Sequence, residues 1–91
     1  MKPNGKPVNY SIEFLNSAAK EFRKLSIEIK RSMIDPIDAL SNNPYSYKTK
    51  KLRNTDLYRI RVGDYRIIYQ VDKEEKTVLI TKIGHRREVY K

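Results

Sequence analysis

The chain has 91 residues, 20 Lys plus Arg against 11 Asp plus Glu, a formal net charge of +9, and no cysteine. That length holds one domain with a modest core, and the missing thiols exclude a disulfide framework, a thiolate metal site and a cysteine nucleophile. No stretch approaches the roughly 20 apolar residues of a membrane span and MKPNGKPVNY lacks a signal-peptide core, so a soluble, unprocessed, cytoplasmic single domain over residues 1–91 is expected.

Val8 to Phe14 alternates, with Val8, Tyr10, Ile12 and Phe14 on one face, the period of a half-buried strand. Asn16 or Ser17 is placed to cap a helix in which Leu15, Ala18, Ala19, Phe22 and Leu25 recur at helical spacing. Ser26 starts a second helix with Ile29, Met33, Ile37 and Leu40 as its apolar stripe. Pro36 falls inside it, where a lost hydrogen bond and a ring clash predict a kink or a restart capped by Asp35. Asn42, Asn43 and Pro44 end the pattern. Tyr45 to Asp56 is polar and basic around a lone Leu52 and reads as a mobile loop.

From Leu57 the period changes to that of strands. Leu57 to Val62 and Tyr65 to Asp72 flank Gly63-Asp64, a two-residue hairpin turn with Gly at the position of positive φ. A charged turn, Lys73 to Lys76, leads to a last strand from Thr77 to Ile83. Both alternating sets of that strand are partly apolar, so its facing stays open. Gly84 to Lys91 is expected as a tail, bent at Gly84 so that Arg86 and Tyr90 cross the end of the sheet. The fold class is α+β, in the order β-α-α-β-β-β, with two N-terminal helices packed on one face of an antiparallel sheet.

Charge is unevenly spread: residues 1–45 carry seven basic and five acidic residues, residues 46–91 thirteen and six. Tyr47, Tyr58, Tyr65, Tyr69 and Tyr90 interleave the basic half, a composition that suits a nucleic-acid binder. The hairpin turn sets a register in which Val62 faces Tyr65, Arg61 faces Arg66, Ile60 faces Ile67 and Arg59 faces Ile68. Tyr58, Ile60, Val62, Tyr65, Ile67 and Tyr69 then take the helix-covered face, and Arg59, Arg61 and Arg66 the other. Opposed like charges destabilise a sheet by up to roughly 1 kcal/mol unless an anion joins them or the side chains splay into screened solvent. Arginine at all three positions favours phosphate, which its planar fork binds bidentately.

Metal catalysis is disfavoured, because His85 is the sole histidine and no carboxylates show ligand spacing; no glycine-rich phosphate loop exists among Gly5, Gly63 and Gly84, and no cofactor is expected. A basic site with one imidazole and several phenols suits metal-independent RNA cleavage, with the substrate's 2′-hydroxyl as nucleophile. Arginines stabilise the phosphorane, whereas guanidinium stays protonated and cannot be the base. His85 suits either proton-transfer role or a plain phosphate contact, and Tyr90 suits the acid, or the base if arginines depress its pKa.

Lys51-Leu52-Arg53, Tyr58-Arg59-Ile60-Arg61-Val62-Gly63-Asp64-Tyr65-Arg66-Ile67-Ile68-Tyr69 and Ile83-Gly84-His85-Arg86-Arg87-Glu88-Val89-Tyr90, with Ser17-Ala18-Ala19-Lys20 to Leu25, resemble the RelE/ParE toxin superfamily and its RelE branch. The resemblance spans nearly the whole chain. It implies a toxin that enters the ribosomal A site, cuts mRNA there, and is held inactive by a RelB-like antitoxin. Carried over by position, it implies roles for Arg59 and Arg61 before the turn, Arg66 after it, and Arg86 and Tyr90 at the C-terminus. In the best-studied RelE pattern the first two are lysines; here both are arginines, which moves the proton-transfer roles to His85 and Tyr90. Catalysis is thus expected from Arg61, Arg66, Arg86, Tyr90 and His85, and RNA or ribosome contact from Arg59, Lys48, Lys50, Lys51 and Arg53. The same fold hosts ParE-type gyrase inhibitors without a nuclease site, and a non-cleaving RNA-binding module is a third reading.

Overall fold

A computed structural model describes residues 9–46 and 48–85. The elements are β1 (Ser11–Phe14), α1 (Asn16–Arg23), α2 (Ile27–Asn42), β2 (Lys50–Lys51), β3 (Leu57–Val62), β4 (Tyr65–Asp72) and β5 (Thr77–His85). They form one five-stranded sheet, in the order β1-β5-β4-β3-β2, with both helices on one face.

The expected order and the two layers are present, with two differences in the sheet. β1 lies parallel to β5, pairing Ser11 with Thr77 through Phe14 with Ile80, so the sheet is mixed. The stretch expected as a mobile loop contains β2, which pairs Lys50 with Arg59 and Lys51 with Tyr58. Alternation in residues 8–14 sets which side chains point inward, but it carries no information about the neighbouring strand; Val8 itself lies outside the described residues.

The start of α1 also departs from expectation. Leu15 stays extended because its N–H donates to the Ile80 carbonyl (2.8 Å), and its own carbonyl accepts from Ala19 N–H (2.9 Å). Neither Asn16 nor Ser17 caps, since the residue before Asn16 already serves both strand and helix. Ser26 does cap α2, its hydroxyl accepting from Ile29 N–H at 3.3 Å. α2 then runs unbroken through Pro36, and Asp35 is an internal residue, not a cap. A mid-helix proline costs about 3 kcal/mol. Burying Met33 and Leu40 on either side of it contributes roughly 1.5–3 kcal/mol each, enough to hold the helix on the sheet.

The hairpin register is as the sequence predicts, from Leu57 opposite Gln70 to Val62 opposite Tyr65, with Gly63 at φ +60°. Ile60, Ile67, Tyr69, Val78, Ile80 and Ile83 pack beneath Ala18, Met33 and Leu40. A bulge settles the facing of β5. Ile68 pairs with Lys82 but Tyr69 pairs with Ile80, leaving Thr81 as the extra residue. Strict alternation would split Val78 and Ile80 from Ile83; the bulge shifts the phase by one and buries all three. β5 is also longer than expected, since Gly84 and His85 pair with Arg66 and Tyr65 and belong to the strand rather than to a tail.

Candidate nucleic-acid interface

The face away from the helices is organised in rows set by strand register. At the hairpin end Arg61, Arg66 and Gly84 stand side by side on β3, β4 and β5. The next row is Lys50, Arg59, Ile68 and Lys82, and the one after it Leu57, Gln70, Leu79 and Glu13. The last is Asp72, Thr77 and Ser11. The face therefore grades from cationic at the hairpin end to acidic beyond it, with Glu13 in the third row and Asp72 in the fourth, and an anion is drawn to the hairpin end.

Arg61 is exposed, whereas Arg66 directly opposite is only 2 % exposed. Of the outcomes open for three arginines on this face, wholesale splaying into solvent is not what the fold does: Arg66 is held within the structure. Gly84 beside it has no side chain, so the sheet surface next to Arg66 is low there, a feature that lets a ligand or backbone approach closely. Arg59 is half-buried and faces Ile68, itself 5 % exposed although it lies outside the helix-covered core.

The basic segment before β3 divides between the two sides. Lys50 sits opposite Arg59 and so joins the cationic face, while Lys51 sits opposite Tyr58 on the other. Lys48 and Arg53 are exposed on either side of β2. His85 pairs with Tyr65, with ring centroids 5.6 Å apart in an edge-to-face arrangement. Since Tyr65 packs against the core, alternation puts the imidazole on the helix side of the sheet, away from the Arg61–Arg66 row. Arg86 and Tyr90 lie outside the described residues. Among the described residues no group of three His, Cys, Asp or Glu is placed to hold a metal ion, and no helix is long and apolar enough to cross a membrane.

The tyrosines also find their places only in three dimensions. Tyr58, Tyr65 and Tyr69 belong to the helix side, not to the arginine face. Tyr58 stacks on Tyr69 (5.8 Å) and meets Tyr45 edge-on (5.4 Å), while Tyr69 donates its hydroxyl to the Pro44 carbonyl at 2.7 Å. Burial pushes the Tyr69 phenol up to about 12, and burial also raises Tyr45. Both stay protonated at neutral pH, and the described tyrosines of the basic half, Tyr58, Tyr65 and Tyr69, pack with the core rather than form a stacking platform for bases. Tyr47 lies outside the described residues.

Two residues of the site had no sequence signal. β1 ends at Phe14, which leaves the outer edge of β5 uncovered beyond Ile80, and Glu21 of α1 closes it by accepting from Ile83 N–H at 2.8 Å. The other oxygen of that carboxylate is 3.1 Å from Lys82 Nζ. Nothing in the local pattern of α1 marks Glu21, and only the packing of α1 beside β5 gives it this role.

Comparison with known proteins agrees with this geometry. A family model described as the ParE toxin of type II toxin-antitoxin system, parDE, matches residues 12–90. The toxin RelG of Mycobacterium tuberculosis is 27 % identical over 84 residues, covering 90 % of this chain and 97 % of that protein. The mRNA interferase toxin RelE of Escherichia coli K12 is 29 % identical over 85 residues, covering 89 % and 90 %. The toxin–antitoxin complex RelBE2 of M. tuberculosis contains a chain that superposes with a TM-score of 0.79 at 30 % identity, covering 91 % of this chain and 98 % of that one. The isolated E. coli RelE toxin superposes with a TM-score of 0.77 at 31 % identity, covering 89 % and 90 %. A +9 chain with an opposed arginine pair on the open face of this sheet, matched by the family model over all but its ends, belongs to the RelE/ParE superfamily as a RelE-type toxin of a type II toxin–antitoxin system.

Proposed function

We propose that the chain is a ribosome-dependent mRNA endoribonuclease, cutting in the A site without a metal ion and restrained by a cognate antitoxin. The observation that carries this reading is the Arg61–Arg66 pair, one guanidinium exposed and one buried, beside the bare backbone of Gly84. Two adjacent cations are suited to a phosphate whose charge grows in the transition state, where removing one such donor costs about 10²–10³ in rate.

In the reaction the substrate's 2′-oxygen attacks the adjacent phosphorus, its proton passes to a base, and the phosphorus–5′-oxygen bond breaks. A proton from an acid completes a 5′-hydroxyl, leaving a 2′,3′-cyclic phosphate. Arg61, Arg66 and Arg86 stabilise the phosphorane; Arg59, Lys48, Lys50, Lys51 and Arg53 grip RNA or ribosome. The proton transfers fall to Tyr90 and His85. His85 meets the Tyr65 ring on the helix side of the sheet, opposite the arginine face, which favours Tyr90 over His85 for these roles.

Support for the nuclease comes from the RelE relatives, two of which carry the name mRNA interferase, and support for an antitoxin from neighbours solved as toxin–antitoxin complexes. Toeprinting on ribosomes programmed with mRNA tests the activity: new mRNA 5′ ends at A-site codons are expected with the wild type and should vanish in an Arg86→Ala, Tyr90→Phe double variant. Undiminished cleavage by that variant refutes the assignment. A second reading, gyrase inhibition, is favoured by the ParE description of the matching family. Loss of supercoiling with the purified protein while ribosome-bound mRNA stays intact would replace the first reading by the second.

A further inference from the structure

The cationic face extends beyond the opposed arginines. Lys50, Arg59, Ile68 and Lys82 stand in register across β2, β3, β4 and β5. With strands about 4.8 Å apart, this row carries three cations over roughly 14 Å. Lys82 at its end is held by an acid on another element: its Nζ is 3.1 Å from Glu21 Oε2, and the two side chains are 46 % and 32 % exposed. An ion pair so exposed is worth at most about 1 kcal/mol, so a phosphate competes with it readily. Glu21 is not stranded by the exchange, because its Oε1 still accepts from Ile83 N–H.

We propose that Lys82, with Arg59 and Lys50, forms a second phosphate-binding row for single-stranded RNA, and that Glu21 competes with the RNA for Lys82. The inference rests on the reading of this face as an RNA site, and adds to it a residue and a competitor. The direction of the strand follows from the charge gradient. Glu13 in the adjacent row and Asp72 in the one beyond it repel an anionic chain running along the strands, so it crosses them, following the row. A cationic strip two rows deep suits one nucleic-acid strand.

The test is the salt dependence of binding to a 2′-O-methyl RNA oligonucleotide, which lacks the nucleophile, followed by fluorescence anisotropy. Lys82→Ala should lower the slope of log K against log salt by about 0.7, the contribution of one phosphate contact on a single strand. Glu21→Gln keeps an oxygen for Ile83 N–H but releases Lys82, and should tighten binding about threefold. The double variant should behave as Lys82→Ala, and Lys82→Arg should restore the slope, which separates lost contact from lost folding. Arg61→Gln is the reference for the face as a whole. If Arg61→Gln lowers the slope and Lys82→Ala does not, or if Glu21→Gln and Lys82→Ala weaken binding alike, the second row is refuted while the RNA site stands. If Arg61→Gln leaves the slope unchanged, both fall. An oligoglutamate whose binding depends on Lys82 when that of RNA does not would make the row a surface for an acidic protein and overturn the proposal.

Discussion

Replacing Arg61 by glutamine should make the protein more stable and less active. Arg61 and Arg66 face each other across β3 and β4, and the nearest acidic rows of that face lie toward its other end. A directly opposed like-charge pair costs about 0.2–1 kcal/mol, and the burial of Arg66 at 2 % exposure favours the upper part of that range. Glutamine keeps most of the length of the exposed Arg61 stem and removes its charge. In a domain of this size about 1 kcal/mol corresponds to roughly 4–8 °C in Tm, so a rise of a few degrees is expected by thermal unfolding in low salt. The rise should shrink in molar salt, where the Debye length falls to about 3 Å. Inorganic phosphate should stabilise the wild type more than the variant, because it binds the folded state through the pair. Cleavage should fall by about 10²–10³. A Tm that is unchanged or lowered, and equally so at both salt concentrations, would show that the pair is not under electrostatic strain.

Tyr69, held up to about 12 by burial and paired with the Pro44 carbonyl, is raised above its unfolded value near 10. Its contribution is therefore fully present below pH 10 and is lost as pH rises from 10 through 12; urea unfolding of wild type against Tyr69→Phe should converge by roughly 2 kcal/mol over that window. At neutral pH Tyr69→Phe should itself cost about 1–3 kcal/mol, since it leaves a buried carbonyl without its donor. Gly63→Ala should destabilise by about 1–2 kcal/mol in the same assay, through the φ of +60° alone, because a Cβ at that position meets nothing within 4 Å. Ser26→Ala removes the hydroxyl that caps α2 and should cost about 1 kcal/mol, with Ser26→Asp close to wild type.

Much of this protein is set by rules that act within a few residues, and those parts are legible in the chain. The apolar stripe Ile29–Met33–Ile37–Leu40 defines the buried face of α2, and Ser26 defines its start. Gly63-Asp64 dictates a two-residue turn, which through the two-residue period of strands places Arg61 against Arg66 without any tertiary information. The cationic character of the face followed from that register alone.

The remainder depended on what each element meets in space. Residues 11–14 have a buried face whichever strand they join, and only the sheet decided that β1 runs parallel to β5. The bulge at Thr81 reverses the phase of half a strand, because burying Ile83 with Val78 and Ile80 outweighs one unpaired residue. That phase puts Lys82 on the arginine face within reach of Glu21 and sends His85 to the Tyr65 side. Pro36 locally allows a restart capped by Asp35, which the packing of Met33 and Leu40 overrules. Which arginines gather on one face was determined by the sequence, since alternation is local; the burial of Arg66, and the parting of His85 from the arginines, were decided by tertiary structure, since burial and phase depend on residues distant in the chain.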